Sequence, residues 1–173
     1  MCIRDRAGAA SLFAQSSYRV THNYLLGGDG SWDYVVPDPP NHRLFIARQT
    51  RVMVVDEDNG TLLGEVTGIQ GAHGTAVAES TGHGFATSGN DQSVVMFDLK
   101  TYKVLGRIPA AEDADAIVYD SVSNRVFTLN GDAHSSTVID VYKRQLYASA
   151  VWRWGGCRAR APPSRCRADS REW

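Results

Sequence analysis

The hydrophobic residues of this chain fall in short runs separated by residues typical of turns. Each run holds about five residues rich in Val, Ile, Phe and Thr, and Gly, Asp, Asn or Pro bounds it on either side. Such runs suit short pleated strands, whereas a helix needs apolar residues at a spacing of about 3.6 over ten or more positions. The pattern therefore predicts an all-β chain.

The runs recur in a fixed order. Asp56, Asp98 and Asp140 each close a run and lie 42 residues apart. The runs of the three copies lie at 33–37, 43–47, 51–56 and 62–66; at 74–78, 84–88, 93–98 and 104–108; and at 115–119, 125–129 and 136–140. Four short strands in about 40–45 residues are the repeat of a β-propeller blade. Because one four-stranded meander cannot bury both of its faces, neighbouring blades are expected to stack.

With these runs, the chain resembles the YVTN-repeat, YncE-like family of bacterial β-propellers. The resemblance spans roughly residues 18–140 and rests on Trp32-Asp-Tyr, Arg43-Leu-Phe-Ile, Val52-Met-Val-Val-Asp56, Asp91-Gln-Ser-Val-Val-Met-Phe-Asp98 and Asp115-Ala-Ile-Val-Tyr119. It implies a seven-bladed ring, of which this chain holds about three four-stranded antiparallel blades. We therefore expect a partial β-propeller whose remaining blades belong to a longer protein.

The chain divides into three predicted parts. The partial propeller covers residues 18–141, with a blade-closing strand at 18–26 and repeats at 27–66, 67–108 and 109–141. Residues 1–17 are predicted to be a leader, in which 1–6 resembles translated adapter sequence and 7–17 resembles the back end of a secretory signal. Residues 142–173 are predicted to be a non-native, disordered basic tail. The alternative for this tail is a nucleic-acid-binding arm with Trp stacking residues.

The net charge of −1 is the average of two unlike sequences. The tail carries eight basic against two acidic side chains, so the propeller part is acidic. Its bases Arg43, Lys103 and Arg125 are dispersed along strands, which is typical of solvated surface and makes nucleic acid an unexpected partner. No stretch approaches the ~20 apolar residues that span a bilayer. The signal-like segment and the family resemblance together favour a periplasmic or secreted protein.

Candidate binding residues lie at one rim of the predicted ring. The first strand of each propeller blade lines the central channel, so residues just before these strands, and those just after the second strands, converge from every blade. They are Trp32, Asp33, Arg48, His73, Asn90, Asp115 and Asn130. Concave mouths with a few convergent polar groups are the usual binding sites. The competing interpretation is structural, because Asp and Asn at these positions often bond backbone amides of the loops.

His73 is the strongest single candidate, since its sister repeats carry Asp at the equivalent position. An imidazole beside two carboxylates can bind a cation or titrate near neutral pH. A metal site needs three or four converging ligands, and one His with two Asp on separate blades does not establish one. We therefore predict no metal and no cofactor.

Two functional hypotheses follow. The first is a non-enzymatic binding or scaffold propeller of the bacterial envelope that contacts a small molecule, polymer or protein at the channel rim. The alternative is a propeller-type hydrolase or lactonase, or the propeller part of a redox enzyme, whose active site needs the missing blades. Binding is favoured, and no catalytic residue is assigned, because the sequence contains no nucleophile elbow, phosphate loop or haem-attachment motif.

Overall fold

A computed structural model of the chain describes residues 19–143 and 145–151. These residues form ten β-strands and three single-turn 3-10 helices, the latter at Pro39–Asn41, Glu79–Thr81 and Gly89–Asp91. The strands are β1 (Val35–Asp38), β2 (Arg43–Asp56), β3 (Leu62–Ala78), β4 (His83–Ser88), β5 (Ser93–Asp98), β6 (Val104–Pro109), β7 (Ala114–Asp120), β8 (Arg125–Asn130), β9 (Ser135–Asp140) and β10 (Gln145–Val151). All pairings are antiparallel, in one sheet of six strands and one of four. The predicted all-β class is confirmed.

β2 is a hairpin whose two arms correspond to two predicted strands. The N–H of Glu57 donates to the carbonyl of His42 at 3.0 Å, which brings the two ends of the 14-residue strand together. A straight strand of that length would separate its ends by about 40 Å. The chain turns near Gln49, whose φ is 39°.

β3 belongs to two blades. Residues 62–67 pair with the second arm of β2, and residues 72–78 pair with β4. Between the two parts, Gly68 and Gly71 have φ values of 78° and 71°, a region that glycine enters without steric cost. The outer strand of one blade therefore continues directly into the inner strand of the next.

With the arms of β2 and the parts of β3 counted separately, the sheets contain three four-stranded blades. Blade 1 consists of β1, both arms of β2 and residues 62–67; blade 2 consists of residues 72–78, β4, β5 and β6; blade 3 consists of β7 to β10. Every predicted run of the three repeats lies in one of these strands, except that β1 begins two residues into the run 33–37. The described residues thus form the predicted partial, propeller-like fold.

The predicted strand at 18–26 is wrong where the structure describes it. Residues 19–26 contain no strand and pair with none of the described strands. Side chains hold the segment to blade 1 instead. Leu26 packs against a small cluster of Ile46, Met53 and Val55, and the Tyr24 hydroxyl donates to the carbonyl of Asp58 at 2.6 Å.

The predicted disordered tail is also wrong over part of its length. Residues 145–151 form β10, which pairs with β9 from Gln145 opposite Asp140 to Val151 opposite Ser135. β9 would otherwise present an open edge, and a short run of apolar and small residues follows it in the sequence at pairing distance. The predictions for residues 1–18 and 152–173 lie outside the described residues.

The blades pack face to face and bury their apolar side chains between them. The cluster between blades 1 and 2 includes Phe45, Val52, Val54, Val66, Val95 and Phe97. The cluster between blades 2 and 3 includes Phe85, Val94, Met96, Ile108, Val126 and Ile139. Because side chains alternate along a strand, Val95 and Phe97 of β5 face blade 1, whereas Val94 and Met96 face blade 3. The middle blade is therefore buried on both faces.

Arg43 joins blades 1 and 2 through polar contacts. It is 9% exposed, and its Nε donates to the Asp38 carboxylate at 2.6 Å. From there its guanidinium reaches blade 2, where it donates to the carbonyl of Leu99 at 2.7 Å and to Glu79 at 3.2 Å. Burial by itself lowers the pKa of Arg43, but hydrogen bonds and attraction from Asp38 and Tyr102 outweigh it and raise the pKa. The prediction that Arg43 lies on solvated surface is wrong.

The repeated Asp after each third strand is a turn residue. The Asp98 carboxylate accepts hydrogen bonds from the backbone N–H groups of Lys100 at 3.0 Å and Thr101 at 2.8 Å. The backbone and side-chain bonds from Thr101 lower the pKa of Asp98 below its ordinary value. Asp56 and Asp140 accept backbone N–H bonds in the same way. The 42-residue period thus marks a recurring side-chain cap on the turn that follows.

We predict that Gly84→Ala destabilises the fold by about 1–3 kcal/mol, because a methyl group there would overlap the buried ring of Phe97 and overpack the cluster between blades 1 and 2. Gly106→Ala is the matched control, since no atom lies within 4 Å of a Cβ at that strand position. Chemical denaturation of both variants measures the difference. Equal stability of the two variants would contradict the described packing.

We predict that Arg43→Ala lowers the free energy of unfolding by about 3–5 kcal/mol, because it leaves the buried Asp38 carboxylate without its cation. Lys103→Ala, on the exposed surface, is the control and should change stability by less than about 0.5 kcal/mol. Urea unfolding followed by far-UV circular dichroism gives both values. A loss below about 1 kcal/mol for Arg43→Ala would show that Arg43 does not stabilise the contact between blades 1 and 2.

Candidate functional site

Three polar side chains from three successive blades converge beside the inner strands. His73 Nδ1 lies 2.7 Å from Asp33 Oδ2 and 3.9 Å from Asp115 Oδ1. One ligand-type atom from each of the three residues lies within 4.8 Å of the others. The side chains of His73, Asp33 and Asp115 are 29%, 36% and 44% exposed, so the cluster is accessible to solvent. We call Asp33, His73 and Asp115 the rim cluster.

Backbone hydrogen bonds within blade 1 and between blades 1 and 2 hold Asp33 and His73 in place. The N–H of Asp33 donates to the carbonyl of Ala47 at 3.1 Å, and the N–H of Tyr34 donates to the carbonyl of His73 at 3.1 Å. Blade 1 is thereby bonded to the first residues of the inner strand of blade 2. The side chains of Asp33 and His73 are close because their backbones are fixed to one another.

Thr87 fixes the other side of the cluster. Its fully buried hydroxyl donates to the carbonyl of Asp115 at 2.9 Å and accepts the N–H of Gly74 at 2.9 Å. One hydroxyl therefore ties the backbone beside His73 to the backbone of Asp115 in blade 3. The sequence reasoning missed Thr87, because its bonding partners lie 13 and 28 positions away.

The imidazole of His73 lies against Gly89. A Cβ at Gly89 would lie 3.0 Å from His73 Nε2 and 3.1 Å from Cδ2, which is closer than side chains normally pack. The absence of a side chain at Gly89 makes room for this edge of the ring. The Nδ1 edge is the one that faces the two carboxylates.

Two of the other predicted site residues support the loop that carries Asp33. The Arg48 guanidinium lies 4.1 Å from the ring centroid of Trp32. It also donates to the carbonyls of Gly27, Gly28 and Gly30, the last two at 2.7 Å and 2.9 Å. Arg48 is therefore buried and hydrogen-bonded to these carbonyls, while Trp32 remains more than half exposed at the rim. A ligand contact of either residue stays a prediction.

The two predicted asparagines lie outside the rim cluster. Asn130 is buried, and its amide bonds the side chains of Thr128, Ser135 and Thr137 at 2.9–3.0 Å. These partners are hydroxyl groups of its own blade and not the backbone amides of the loops that the structural interpretation named. Asn90 is exposed and covers Gly71, where a Cβ would approach its amide to 2.9 Å. Their roles in binding stay predictions.

A half-open pocket of about 120 Å³ lies between the three inner strands. Its lining is mainly apolar and consists of Tyr34, Val35, Val36, Gly74, Thr75, Ala116 and Ile117. Tyr34, Gly74 and Ala116 directly follow the three residues of the rim cluster in the sequence, so the pocket and the cluster are neighbours. Thr75 Oγ1 is buried and has no hydrogen-bond partner among the described residues. The site therefore combines an apolar cavity with a group of two carboxylates and an imidazole.

A second group of acidic residues around a histidine lies in turns of blade 1. His42 Nδ1 is 3.4 Å from Glu57 Oε1 and 3.1 Å from Asp58 Oδ2. The side chains of His42 and Asp58 are about two thirds exposed, and none of these three residues lines the pocket. We call His42, Glu57 and Asp58 the turn group.

The comparisons with known proteins support the fold. No protein-family model and no curated protein sequence matches the chain. Hydrazine synthase of Kuenenia stuttgartiensis is similar in structure, with a TM-score of 0.66 and 16% sequence identity over 76% of this chain and 39% of that chain. U3-55K is similar with a TM-score of 0.62 and 12% identity over 73% of this chain and 41% of that chain.

Both of these proteins contain a β-propeller, and identities this low show the fold alone. The chain spans about two fifths of the length of each. Together with the three stacked blades, the likeness defines the class of the chain as propeller-like.

We predict that His73→Ala changes the free energy of unfolding by less than about 1 kcal/mol, because its pair with Asp33 is partly exposed to solvent. Thr87→Val should cost more, about 1–3 kcal/mol, because it leaves the N–H of Gly74 and the carbonyl of Asp115 without partners. Thermal and urea unfolding of the two variants test this order. A larger loss of stability in His73→Ala than in Thr87→Val would show that His73 has a structural role.

Proposed function

We propose that this chain is part of a non-enzymatic, YncE-like binding propeller of the bacterial envelope, which contacts its ligand at the rim cluster and the adjoining pocket. The observation that carries the proposal is the convergence of Asp33, His73 and Asp115 from equivalent positions of three blades. A framework role alone would not require two carboxylates and an imidazole to face each other at an accessible surface.

The chemistry of the site indicates the kind of ligand. The pocket is mainly apolar and is large enough for a single small ring. In the described part of the chain, neither Asp33 nor Asp115 forms an ion pair with Lys or Arg. With His73 neutral, the rim cluster carries two uncompensated negative charges. The free site thus favours a small ligand with an apolar body and a cationic group.

The ring and the location belong to the same proposal. The likeness to propeller-containing proteins, of which this chain covers only about two fifths, supports a larger ring that completes the channel wall. A bacterial envelope location is supported by the signal-like sequence at 7–17. No helix among residues 19–143 and 145–151 has the length and apolarity to cross a membrane.

One observation favours the alternative of a propeller-type hydrolase or lactonase. The 2.7 Å contact between His73 Nδ1 and Asp33 is the geometry of a base oriented by a carboxylate. A nucleophile or an activated water would then have to be positioned by blades beyond the described residues. Turnover of a chromogenic ester or lactone that is lost in His73→Ala would favour this alternative over binding.

We predict that benzamidine, an aromatic amidinium, binds the free site and that benzoate does not, because the two carboxylates attract a cation and repel an anion. The measurement is amide chemical-shift mapping of the full chain in buffer containing EDTA. Shifts are expected at Tyr34, Gly74 and Ile117, which line the pocket.

Asp115→Asn should weaken benzamidine binding about tenfold, the loss expected for one charge-assisted hydrogen bond. Glu57→Gln, in the turn group of blade 1, is the matched control and should leave the affinity unchanged. Equal shifts with benzoate, or no shifts at the pocket with either probe, would contradict the proposed binding site.

A further inference from the structure

The geometry points to a divalent metal site at the rim cluster: we propose that Asp33, His73 and Asp115 hold one first-row transition-metal ion of the zinc type. The ion would then present open coordination positions to a carboxylate-bearing ligand in the adjoining pocket. This inference rests on the proposed binding function and names the chemistry of the same site. It replaces the expectation, drawn from the sequence, that no metal is bound.

The separations within the rim cluster are close to those of a metal ligand set. Ligand atoms 2.0–2.2 Å from an ion lie about 3.0–3.5 Å from one another in octahedral or tetrahedral geometry. The two separations from His73 Nδ1 are 2.7 Å and 3.9 Å, which bracket this range. Small rotations of the two Asp side chains therefore bring all three atoms to bonding distance.

The side chains that would bind the ion are carried by a fixed framework. The N–H of Tyr34 bonds the carbonyl of His73, and Thr87 bonds the carbonyl of Asp115, so the backbones of all three blades are tied together at the site. Gly89 receives the Nε2 edge of the imidazole and leaves Nδ1 facing the carboxylates. Preorganised ligands of this kind lower the cost of ordering the site around an ion.

Charge and donor type select the kind of ion. Two carboxylates without a Lys or Arg partner in the described part of the chain carry a charge of −2 beside the neutral imidazole that a metal requires, and one divalent cation neutralises that charge. An imidazole nitrogen among the donors favours zinc or a neighbouring transition metal over Ca²⁺ or Mg²⁺, which prefer all-oxygen sites. Three protein ligands leave at least one position open, as in metal sites that take water or a substrate group.

The ion would reverse the preference of the pocket. Without metal, the carboxylates of Asp33 and Asp115 attract an organic cation. With metal bound, their charge is neutralised and the open position accepts an oxygen donor, so a carboxylate is attracted and an amidinium is displaced. A metal-loaded site thus selects small apolar acids instead of small apolar bases.

The first test is the stoichiometry and affinity of Zn²⁺, measured by isothermal titration calorimetry on the full chain after treatment with EDTA and desalting. Cys2, Cys157 and Cys166 are replaced by Ser to remove competing thiolates. We expect one Zn²⁺ per chain. His73→Ala and Asp115→Asn should each weaken binding by at least about tenfold, since loss of even an outer-shell partner typically costs 10–100-fold.

His42→Ala is the matched control, because the turn group offers the same ligand types at 3.1–3.4 Å, but two of its three side chains are about two thirds exposed. This variant should leave Zn²⁺ binding at the rim cluster unchanged. Far-UV circular dichroism of each variant in EDTA confirms folding, and Asp115→Asn keeps the shape of the side chain if His73→Ala fails to fold. No Zn²⁺ binding at up to millimolar concentration, or equal binding by Asp115→Asn, would overturn the metal site.

The second test repeats the benzamidine and benzoate mapping with Zn²⁺ present. Benzoate is expected to shift the amides of Tyr34, Gly74 and Ile117, and benzamidine to lose affinity. Zn²⁺ binding without this reversal would overturn the role of the ion in ligand recognition. If no Zn²⁺ binds while benzamidine still binds in EDTA, the metal site fails and the proposed binding function stands. If neither benzamidine nor benzoate binds, with or without Zn²⁺, the proposed binding function itself is contradicted.

Discussion

The structure depends on the burial of apolar side chains between neighbouring blades. A four-stranded meander is a single layer with two faces. The Val, Ile and Phe side chains on a face are therefore buried only when another blade covers that face. Burial of one such side chain contributes about 1.5–3 kcal/mol. The contact of Phe45 in blade 1 with Phe97 in blade 2, at a centroid distance of 5.9 Å, lies at the centre of one such interface. The polar features of the molecule are arranged around these interfaces.

The rim cluster is a consequence of that stacking. Blades that pack in the same orientation place equivalent residues side by side, so three positions about 40 residues apart in sequence meet at one edge. Divergence at a single repeat position then changes the chemistry of the whole edge. Here His73 stands between two carboxylates, and an edge of three like charges becomes a site with mixed donors.

The sequence predicted the strands and the convergence at the rim because both follow from local or periodic signals. Alternation along a run marks a strand, and the recurrence at 42 residues aligns the runs. Contacts between blades were not predictable in this way. Arg43 looks like a surface base in its own strand, and its partners in blade 2, Glu79 and the carbonyl of Leu99, lie 36 and 56 residues away in the sequence. Asn130 likewise depends on hydroxyls of its own blade, which its turn position does not reveal.

The two errors at the ends of the blades have a related cause. Whether a segment becomes a strand depends on a neighbouring edge as well as on its own residues. The segment 19–26 pairs with none of the described strands, whereas residues 145–151 pair with β9. Composition separated the tail from the repeats, but the open edge of β9 decided the conformation of its first part.

The continuous path of β3 also affects how the molecule responds to stress. Blades 1 and 2 share one uninterrupted strand, whereas blade 3 begins after a short connection that follows β6. Loss of the hydrogen bonds along residues 62–67 therefore removes the anchor of the strand that begins blade 2. Local opening is expected to spread between the first two blades as one cooperative unit, while the third separates more independently. Because His73 lies on the shared strand and Asp115 on the third blade, the rim cluster spans the boundary between these two units.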